Sequence, residues 1–318
     1  MTDRKTAVSS SHCFPPIHRR GDTVALFGEV LADVFPDRSV LGGAPFNVAR
    51  HLKAFGLNPV LITRTGNDAL RAELLAVMTG CGMETMGVQC DPVHPTGRVR
   101  VHIGSGGHRF EILTDQAYDY IHAAMARMVA LSVHPSLFYF GTLAQRNVMS
   151  RRALKTLLHG SGVPSFLDIN LRPPWYSGPT LRRSLQLANT VKLNADEMAV
   201  LAEDMKLAGD NMIGQARTLM QDYGLERMLI TCGADGAWLI EPDGSEIRVA
   251  PSARSVTVVD TVGAGDGFSA VFILGMMRAW PVALTLERAH VFAATICEIR
   301  GAIPDQDDFY QPFRQEWK

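Results

Sequence analysis

The chain has 318 residues, of which 47% are hydrophobic and 20% are charged. This composition is typical of a folded globular protein and excludes a disordered or collagen-like chain. The 31 lysines and arginines balance 32 aspartates and glutamates, so the formal net charge is −1. Because a basic excess is missing, we expect no broad binding to nucleic acid or to an anionic membrane surface.

The five cysteines form no C-x-x-C motif, and no apolar run approaches the ~20 residues of a membrane span. We therefore expect a reduced, cytoplasmic protein without a membrane partner. Residues 1–20 lack the apolar segment of a secretory signal. We expect them to form a loosely ordered leader, followed by one folded domain over residues 21–318.

The first part of the chain predicts an alternation of strands and helices. Residues 23–30 and 59–63 are short apolar runs, which are typical of buried strands. Residues 45–55 carry apolar side chains at helical spacing, with Pro45 suited to the first turn. A second helix is predicted after Asp68, a residue type that caps helices.

The next stretch departs from this alternation. Residues 96–103 and 108–113 are strand-like runs around a glycine-rich turn, which predicts a β-hairpin. Residues 32–41 also look extended. Because short strands are not stable alone, we expect residues 31–41 and 93–114 to pair into one small sheet inserted in the domain.

The remaining chain predicts the alternation again. Strands are predicted over residues 137–140, 165–169, 191–193, 227–231, 237–240 and 256–259, and helices over 146–159, 195–203, 212–223, 265–278 and 284–300. This pattern indicates an α/β fold in which helices cover both faces of a mostly parallel sheet. In such sheets ligands bind beyond the carboxyl ends of the strands.

A glycine-rich segment at the start of one predicted helix is the most informative local pattern. Gly263, Ala264 and Gly265 have almost no side chains, so a ligand can approach their backbone N–H groups. Helix N-termini with free N–H groups attract phosphates and developing anions. Asp266 follows them and suits a general base. The alternative is a tight turn with a first-turn acid that the helix dipole favours.

Two motifs, more than two hundred residues apart, together resemble the signatures of one family. The segment DTVGAGD at residues 260–266 and the segment GGAPFNVA at residues 42–49 are similar to the signatures of the ribokinase-like (PfkB) carbohydrate kinases. The resemblance implies a three-layer ribokinase-like fold with a small β-sheet lid. It also implies transfer of the γ-phosphoryl group of ATP to a sugar hydroxyl.

Further segments resemble the fructokinase branch and favour D-fructose as substrate and fructose 6-phosphate as product. They are Gly28-Glu29 with Asp33, HPTG at residues 94–97, AYDYI at residues 117–121 and DINLRPPW at residues 168–175. Kinases for mannose, 2-keto-3-deoxygluconate, ribose or a nucleoside remain alternatives. A sugar-binding protein without kinase activity is a further alternative, although it would not need Asp266.

The resemblance implies a role for each matching residue. Asp266 would be the base, and Gly263, Ala264 and Gly265 would bind the phosphoryl oxygens. The sugar would contact Asp33, Gly42, Gly43, Asn47, Asn170 and Arg172. For Asp33 and Asn47 the alternatives are a turn acid at a strand end and a polar residue at a helix start. For Arg172 the alternative is a surface loop.

The same resemblance implies an ATP site and two cations. The nucleotide would contact Asn194, Glu197, Thr231, Gly233 and Gly236. Glu197 would help to hold Mg²⁺ through water, and Asp260 would lie in a loop that binds a monovalent cation such as K⁺. The alternatives are a capping box formed by Asn194 and Glu197, and a simple turn between strands for the glycines.

The lid is expected to cover the sugar with one face. We expect its other face to carry Val99, Val101 and Ile103 at alternate positions, and an exposed apolar face requires a cover. A second copy of the chain would provide one and give a two-fold homodimer. The alternative is that these side chains pack on the main domain of the same chain.

Overall fold

The computed structural model describes residues 13–14, 21–104, 107–250 and 257–317. Strands β1 to β13 are Thr23–Phe27, Leu31–Val34, Ser39–Gly42, Asn58–Gly66, Val88–Asp91, Gly97–Gly104, Gly107–Ile112, Leu137–Gly141, Ser165–Asp168, Thr190–Asn194, Arg227–Thr231, Ala237–Ile240 and Glu246–Val249. Helices α1 to α10 are Ala44–Ala54, Ala69–Gly80, Ala123–Val133, Val148–Leu158, Gly178–Gln186, Ala195–Met205, Met212–Tyr223, Ala264–Arg278, Val282–Ile296 and Gln311–Glu316. Within these ranges, no helix has the length and apolar character needed to span a membrane.

The larger sheet has nine strands in the order β13-β12-β11-β10-β9-β8-β1-β4-β5. Its strands pair in parallel from β11 to β5, whereas β12 and β13 add an antiparallel edge. Alternate residues of β1 enter two different apolar cores: Val24 and Leu26 pack in one, and Ala25 and Phe27 in the other. Helices therefore cover both faces, which confirms the predicted α/β fold.

The direction in which the chain adds strands reverses between β1 and β8. From β1 the chain adds β4 and β5 on one side, and it then returns to add β8 to β11 on the other. Ligands in open α/β sheets bind at such a reversal, beyond the carboxyl ends of the strands. The residues that follow β1, β9 and β10 are therefore placed around one cleft.

The smaller sheet, here called the lid sheet, has the order β3-β2-β6-β7. Strand β2 pairs in parallel with β6, and β6 pairs with β7 as a hairpin. The predicted pairing of the two separate segments is thereby confirmed. Asp33 in β2 is the register partner of Val99 in β6, so both side chains lie on the same face.

The expectation that Val99 and Val101 lie on the face opposite the sugar and need a second copy as a cover is wrong, and the alternative, packing on the same chain, holds for Val99. Val99 shares the face of Asp33, and Val99 and Val101 are each only 4% exposed. Val99 packs in a core that includes Leu31 and Tyr118 of the same chain, because the lid sheet lies against the main domain. The side chain of Ile103 lies outside the described residues.

The prediction of a strand over residues 256–259 is also wrong for residues 257–259, which are the part of this segment that the structure describes. Residue 256 lies outside the described residues, and residues 257–260 have no regular structure. The Val259 N–H donates to the Cys297 carbonyl oxygen at 2.8 Å, so this segment bonds to the end of α9 rather than to a strand. Helix α9 ends at Ile296, before the predicted residue 300.

Phe14 lies within the segment expected to be a loose leader. It is 3% exposed, and its ring contacts the Phe272 ring edge to face at a centroid distance of 5.5 Å. The Arg227 guanidinium lies 5.0 Å from the centre of the same ring. The expectation of loose order therefore does not hold at Phe14, and the other residues of positions 1–20, apart from Cys13, lie outside the described part.

The β12–β13 hairpin generates a stability prediction. A Cβ atom at Gly236, where φ is +99°, would lie 2.0 Å from the Val249 carbonyl oxygen, whereas one at Gly244, with φ +81°, would meet nothing within 4 Å. We expect Gly236→Ala to destabilise the protein by about 1–3 kcal/mol more than Gly244→Ala, because only the first adds overpacking to the backbone strain. Denaturant unfolding of both variants measures the difference, and equal losses would contradict this close contact.

Candidate active site

The glycine-rich turn forms the start of helix α8. Gly263 is the N-cap with φ +81°, and a Cβ atom there would lie 2.3 Å from the Cβ atom of Ala302. Both constraints require glycine. The Ala264 N–H makes a long 3.3 Å bond to the Thr261 carbonyl oxygen, while in the described chain the N–H groups of Gly263 and Gly265 donate to no backbone carbonyl. Two of the three predicted donors are therefore available to an anion.

Asp266 lies in the first turn of α8 and contacts the other signature motif. The Asn47 Nδ2 atom donates to the Asp266 Oδ2 atom at 2.8 Å. Burial raises the pKa of Asp266 to about 6, and the nearby Asp168 charge adds to the rise, while Asn47, Lys192 and Arg172 oppose it. A carboxylate with this pKa is mostly ionised at neutral pH and suits a general base.

Asp33, Gly42, Gly43 and Asn47 come together as predicted. A Cβ atom at Gly42 would lie 4.0 Å from both Asp33 Oδ2 and Asn47 Oδ1. Gly43 has φ +109°, and a Cβ atom there would lie 2.8 Å from the Glu29 carbonyl oxygen. Burial raises the pKa of Asp33 to about 6, with the Arg172 charge opposing the rise. These residues form one wall of the cleft, beside Asp266.

Arg172 and Asn170 follow strand β9. The exposed Arg172 side chain acts electrostatically on the carboxyl groups of Glu29, Asp33 and Asp266, so it faces the cleft. Asn170 has φ +41°, a left-handed conformation that asparagine tolerates and that turns the chain. Within the described chain, its side chain makes no hydrogen bond to another predicted site residue.

Asn194 and Glu197 form the capping box that the sequence left as an alternative. Asn194 Oδ1 accepts from the Glu197 N–H at 2.8 Å, and Glu197 Oε2 accepts from the Asn194 N–H at 2.9 Å. Glu197 Oε1 also accepts from the Leu171 N–H at 2.7 Å. Glu197 therefore joins helix α6 to the loop that carries Arg172.

The fit of these residues to Mg²⁺ depends on the free lone pairs of Glu197. No cluster of three or more His, Cys, Asp or Glu side chains in the described ranges could hold a metal ion. Each Glu197 oxygen accepts one backbone bond and keeps a further lone pair. Mg²⁺ usually keeps several waters and binds few carboxylates, so the residues fit an ion held through water.

The predicted nucleotide loop lies next to Asn194. Thr231 in β11 is the register partner of Asn194 in β10. Gly233, with φ +56°, begins a short 3-10 helix. Gly236 must be glycine for a structural reason, since the Val249 carbonyl oxygen of β13 leaves no room for a side chain there. The loop is thus adjacent to the cleft, and its glycines serve the β11–β12 connection.

Asp260 connects two segments behind the glycine-rich turn. Its Oδ1 atom accepts from the Val262 N–H and its Oδ2 atom from the Gly301 N–H, both at 3.0 Å. The carboxylate therefore fixes the approach to the turn and the chain beyond α9 relative to each other. This is the place where the sequence predicts a monovalent cation.

Sequence reasoning missed a buried ion pair beneath α8. The Lys192 Nζ atom donates to Asp168 Oδ1 at 3.1 Å and Oδ2 at 3.0 Å. Ser269 Oγ of α8 donates to the same carboxylate at 2.9 Å. The available signal was a lysine between the apolar residues Val191 and Leu193 of a predicted strand.

Sequence reasoning also missed a polar group of residues on the lid side of the cleft. The atoms Glu29 Oε2, Tyr118 OH and Arg146 Nη1 are buried and have no hydrogen-bond partner in the described structure. Burial raises the pKa of Glu29 to about 7, although Arg172 and Arg146 oppose the rise. The sequence signal for Glu29 is a charge inside an apolar run. The segment Gly28-Glu29 is part of the family resemblance, but the resemblance implies no role for Glu29.

Arg146 is held in place by other residues. It donates to both oxygens of Asp119 at 2.7 Å, and its guanidinium lies over the rings of Tyr118 and Trp175. The pairing with Asp119 balances its charge, yet Nη1 is left as a donor. A ligand with hydroxyl groups would satisfy such donors and acceptors.

Comparison with known proteins gives matches over most of the chain. A pfkB family carbohydrate kinase model matches residues 8–308. Fructokinase of Escherichia coli is 28% identical over 276 residues, covering 80% of this chain and 84% of that protein. Aminoimidazole riboside kinase of Salmonella typhimurium is 27% identical over 313 residues, covering 89% and 93%.

A solved structure supports the fold. The chain is similar to a fructokinase with bound ATP from Xylella fastidiosa, with a TM-score of 0.80 over 93% of this chain and 99% of that chain. The two sequences are 20% identical, so the likeness establishes the shared three-layer fold.

Proposed function

The chain belongs to the PfkB family of carbohydrate kinases, and we propose that it transfers the γ-phosphoryl group of ATP to D-fructose, giving fructose 6-phosphate. The observation that carries the proposal is the 2.8 Å hydrogen bond between Asn47 and Asp266. It joins residues 219 positions apart and thereby brings the predicted sugar-binding residues to the predicted base.

The proposed reaction needs little covalent chemistry from the protein. Asp266 takes the proton of the sugar hydroxyl, whose oxygen attacks the γ-phosphorus atom. The bond between that phosphorus and the β–γ bridging oxygen breaks, and ADP leaves with the electron pair. The sugar phosphate and ADP then depart, and Asp266 releases its proton to water. The free N–H groups of Gly263 and Gly265 hold the phosphoryl oxygens.

Charge balance in the cleft supports a neutral sugar as the acceptor. Burial raises the pKa of Glu29 to about 7 and those of Asp33 and Asp266 to about 6. Arg172 is the cation that acts on all three. A neutral ketose supplies hydroxyl groups to these carboxyls without a further negative charge, which favours fructose over a sugar acid such as 2-keto-3-deoxygluconate.

ATP would lie on the other side of the glycine-rich turn, toward Asn194 and Thr231 with Gly233 and Gly236. When bound, Mg²⁺ would neutralise phosphate charge, and Glu197 would hold it through water. Asp260 would support a K⁺ ion close to the turn, since its carboxylate already orients the two segments there. All five cysteines are free, which fits the reducing cytoplasm.

We also propose that two copies of the chain form a homodimer through their lid sheets. Val99 and Val101 do not support this dimer, because they are buried within one chain. Val40 and Phe110 lie on the Asp33 face of the lid sheet and are 43% and 51% exposed. These two side chains, rather than Val99 and Val101, are the apolar surface that a second copy would cover. Sedimentation at micromolar concentration measures the oligomeric state.

Asp266→Asn tests the base. The variant keeps the shape but cannot accept the proton, so we expect kcat to fall by about 10²-fold or more, with ATP affinity retained. In the wild type, kcat/KM should fall as the pH drops below about 6, because Asp266 becomes protonated there. Asp222→Asn on the surface of α7 is the control. A variant with nearly normal turnover would contradict the role of Asp266.

Asp33→Ala tests the sugar wall. Its removal leaves a sugar hydroxyl without its partner, which should cost about 1–3 kcal/mol in kcat/KM for the sugar and leave the KM for ATP unchanged. Asp37→Ala is a matched control, because Asp37 belongs to the same β2–β3 hairpin and is exposed. If ATP affinity falls while sugar affinity holds, the two ends of the cleft are assigned the wrong way round.

A substrate panel tests the activity itself. We expect ATP-dependent initial rates to be highest with fructose among fructose, mannose, ribose, 2-keto-3-deoxygluconate and adenosine. A higher rate with another compound would replace fructose and keep the kinase. Sugar binding without ATP consumption for any of them would favour a binding protein instead.

A further inference from the structure

Three buried polar side chains on the lid side of the cleft keep unused hydrogen-bonding capacity. Glu29 follows β1 and Arg146 follows β8, and these two strands are paired neighbours. Both residues therefore lie at the carboxyl edge of the sheet, where the strand order reverses. The Arg146 guanidinium lies 5.0 Å from the centre of the Tyr118 ring and acts electrostatically on Glu29. The three side chains thus border one region.

This region is unusual for a protein interior. Glu29 and Tyr118 are 4% and 0% exposed, and the Arg146 side chain is 8% exposed. In the part of the chain that the structure describes, Glu29 Oε2, Tyr118 OH and Arg146 Nη1 have no hydrogen-bond partner. Buried polar groups are nearly always paired, because an unpaired one costs free energy. Three of them in one place indicate a binding site rather than a folded core.

Arg146 is fixed so that one nitrogen atom stays free. Its Nε and Nη2 atoms donate to Asp119, and Nη2 also donates to the Leu113 carbonyl oxygen at 2.7 Å. The guanidinium lies over the rings of Tyr118 and Trp175, at 5.0 and 4.7 Å from their centres. Since Leu113 follows β7, Arg146 also holds the end of the lid hairpin. Its Nη1 atom is therefore a donor that is oriented before any ligand binds.

The free groups define the chemistry of the ligand that they would bind. An arginine nitrogen only donates, an ionised carboxylate only accepts, and a phenol hydroxyl group does both. Sugar hydroxyl groups also do both, so they can pair with Arg146, Glu29 and Tyr118 together. An apolar group would leave all three unpaired, and an anionic group would meet the carboxyl group of Glu29.

We propose that Glu29, Tyr118 and Arg146 form a subsite for those hydroxyl groups of the acceptor sugar that are not phosphorylated, with Arg146 as a specificity-determining residue. The inference deepens the proposed function and rests on it, because it names the part of the acceptor that the cleft recognises. A sugar that lacks one of these hydroxyl groups leaves a buried donor or acceptor unpaired. Sites that hydrogen-bond a substrate hydroxyl group reject analogues without it for this reason.

Monodeoxy sugars test the subsite, because each replaces one hydroxyl group by hydrogen. We would measure kcat/KM for fructose and for its 1-deoxy, 3-deoxy and 4-deoxy analogues, all of which keep the hydroxyl group at C6. We expect the wild-type protein to use at least one analogue about 10- to 100-fold less efficiently than fructose. If another sugar of the panel is the best substrate, its own monodeoxy analogues replace these.

Tyr118→Phe is the cleanest variant, since it removes a hydroxyl group that has no partner in the described structure. We expect the free energy of unfolding to be retained. We also expect the ratio of kcat/KM between fructose and the disfavoured analogue to fall about tenfold. Tyr223→Phe at the end of α7 is the matched control.

Arg146→Lys tests the specificity-determining residue without leaving a buried aspartate unpaired. Lysine can still pair with Asp119, but it lacks the forked guanidinium that presents Nη1 to the cleft. The same ratio should fall about tenfold or more. Arg152→Lys on the exposed side of α4 is the control.

The ratio of the two sugars is the readout that separates a contact from a structural role. A variant that is merely less stable or less well folded loses activity with both sugars alike, and the ratio stays the same. An unchanged ratio in both Tyr118→Phe and Arg146→Lys would overturn the proposal. So would a wild-type protein that uses every deoxy analogue as well as the parent sugar.

Calorimetric binding of the same sugars without ATP distinguishes this inference from the proposed function. If no sugar is phosphorylated, yet one binds and its deoxy analogue is rejected in a Tyr118-dependent way, only the kinase assignment fails. If a sugar is phosphorylated and the variants keep the wild-type ratio, only the subsite fails. A protein that neither binds nor phosphorylates any of the sugars would overturn both.

Discussion

The hydrogen bond between Asn47 and Asp266 is the contact on which the site depends, because it sets helix α1 against the start of helix α8. Asn47 belongs to helix α1, whose N-cap is Gly43, where the chain returns from the lid sheet. Asp266 belongs to a helix whose first turn must also fit Ala302 at Gly263 and Lys192 at Gly265. A shift of either helix would therefore separate the proposed sugar-binding residues from Asp266, the proposed base, and from the glycine-rich turn together.

The cleft divides its charges between two sides. Toward the lid lie Glu29, Asp33 and Asp266, whose pKa values are raised chiefly by burial. Beneath the turn lies Lys192, which remains charged although it is buried. Burial thus disfavours the ionised form of the three carboxyl groups, whereas the neighbouring carboxylates favour the charged form of Lys192. Under the proposed function, hydroxyl groups of the sugar would meet the carboxyl groups, and phosphoryl oxygens would meet the N–H groups of the glycine-rich turn.

The sequence predicts those features of the fold that local signals determine, such as helix starts marked by caps and glycines. Asp68 caps α2 by accepting from the Arg71 N–H at 3.1 Å, and the glycines before Asp266 predict the start of α8 to within one residue. Helix α3 was not predicted, because Met125, Met128 and Leu131 are exposed and blur its apolar face. The β-branched run at residues 256–259 predicted a strand, but the bond from Val259 to Cys297 at the end of α9 decides its conformation. Glu29, Lys192 and Arg146 were missed as site residues because their meaning depends on partners far away in sequence, which periodicity does not reveal.

The shape of the glycine-rich turn is maintained by the chain that follows α9. Gly263 contacts Ala302, and the Asp260 carboxylate accepts from the Gly301 N–H, so the chain beyond α9 forms the back of the turn. That chain continues to Tyr310, whose hydroxyl group lies 2.9 Å from His51 Nδ1. Burial lowers the pKa of His51 to about 3, so the histidine is neutral and this contact does not change with pH near neutrality. His51 lies one turn after Asn47 in α1. The same helix that contacts Asp266, the proposed base, through Asn47 therefore also anchors, through His51, the segment that supports the glycine-rich turn.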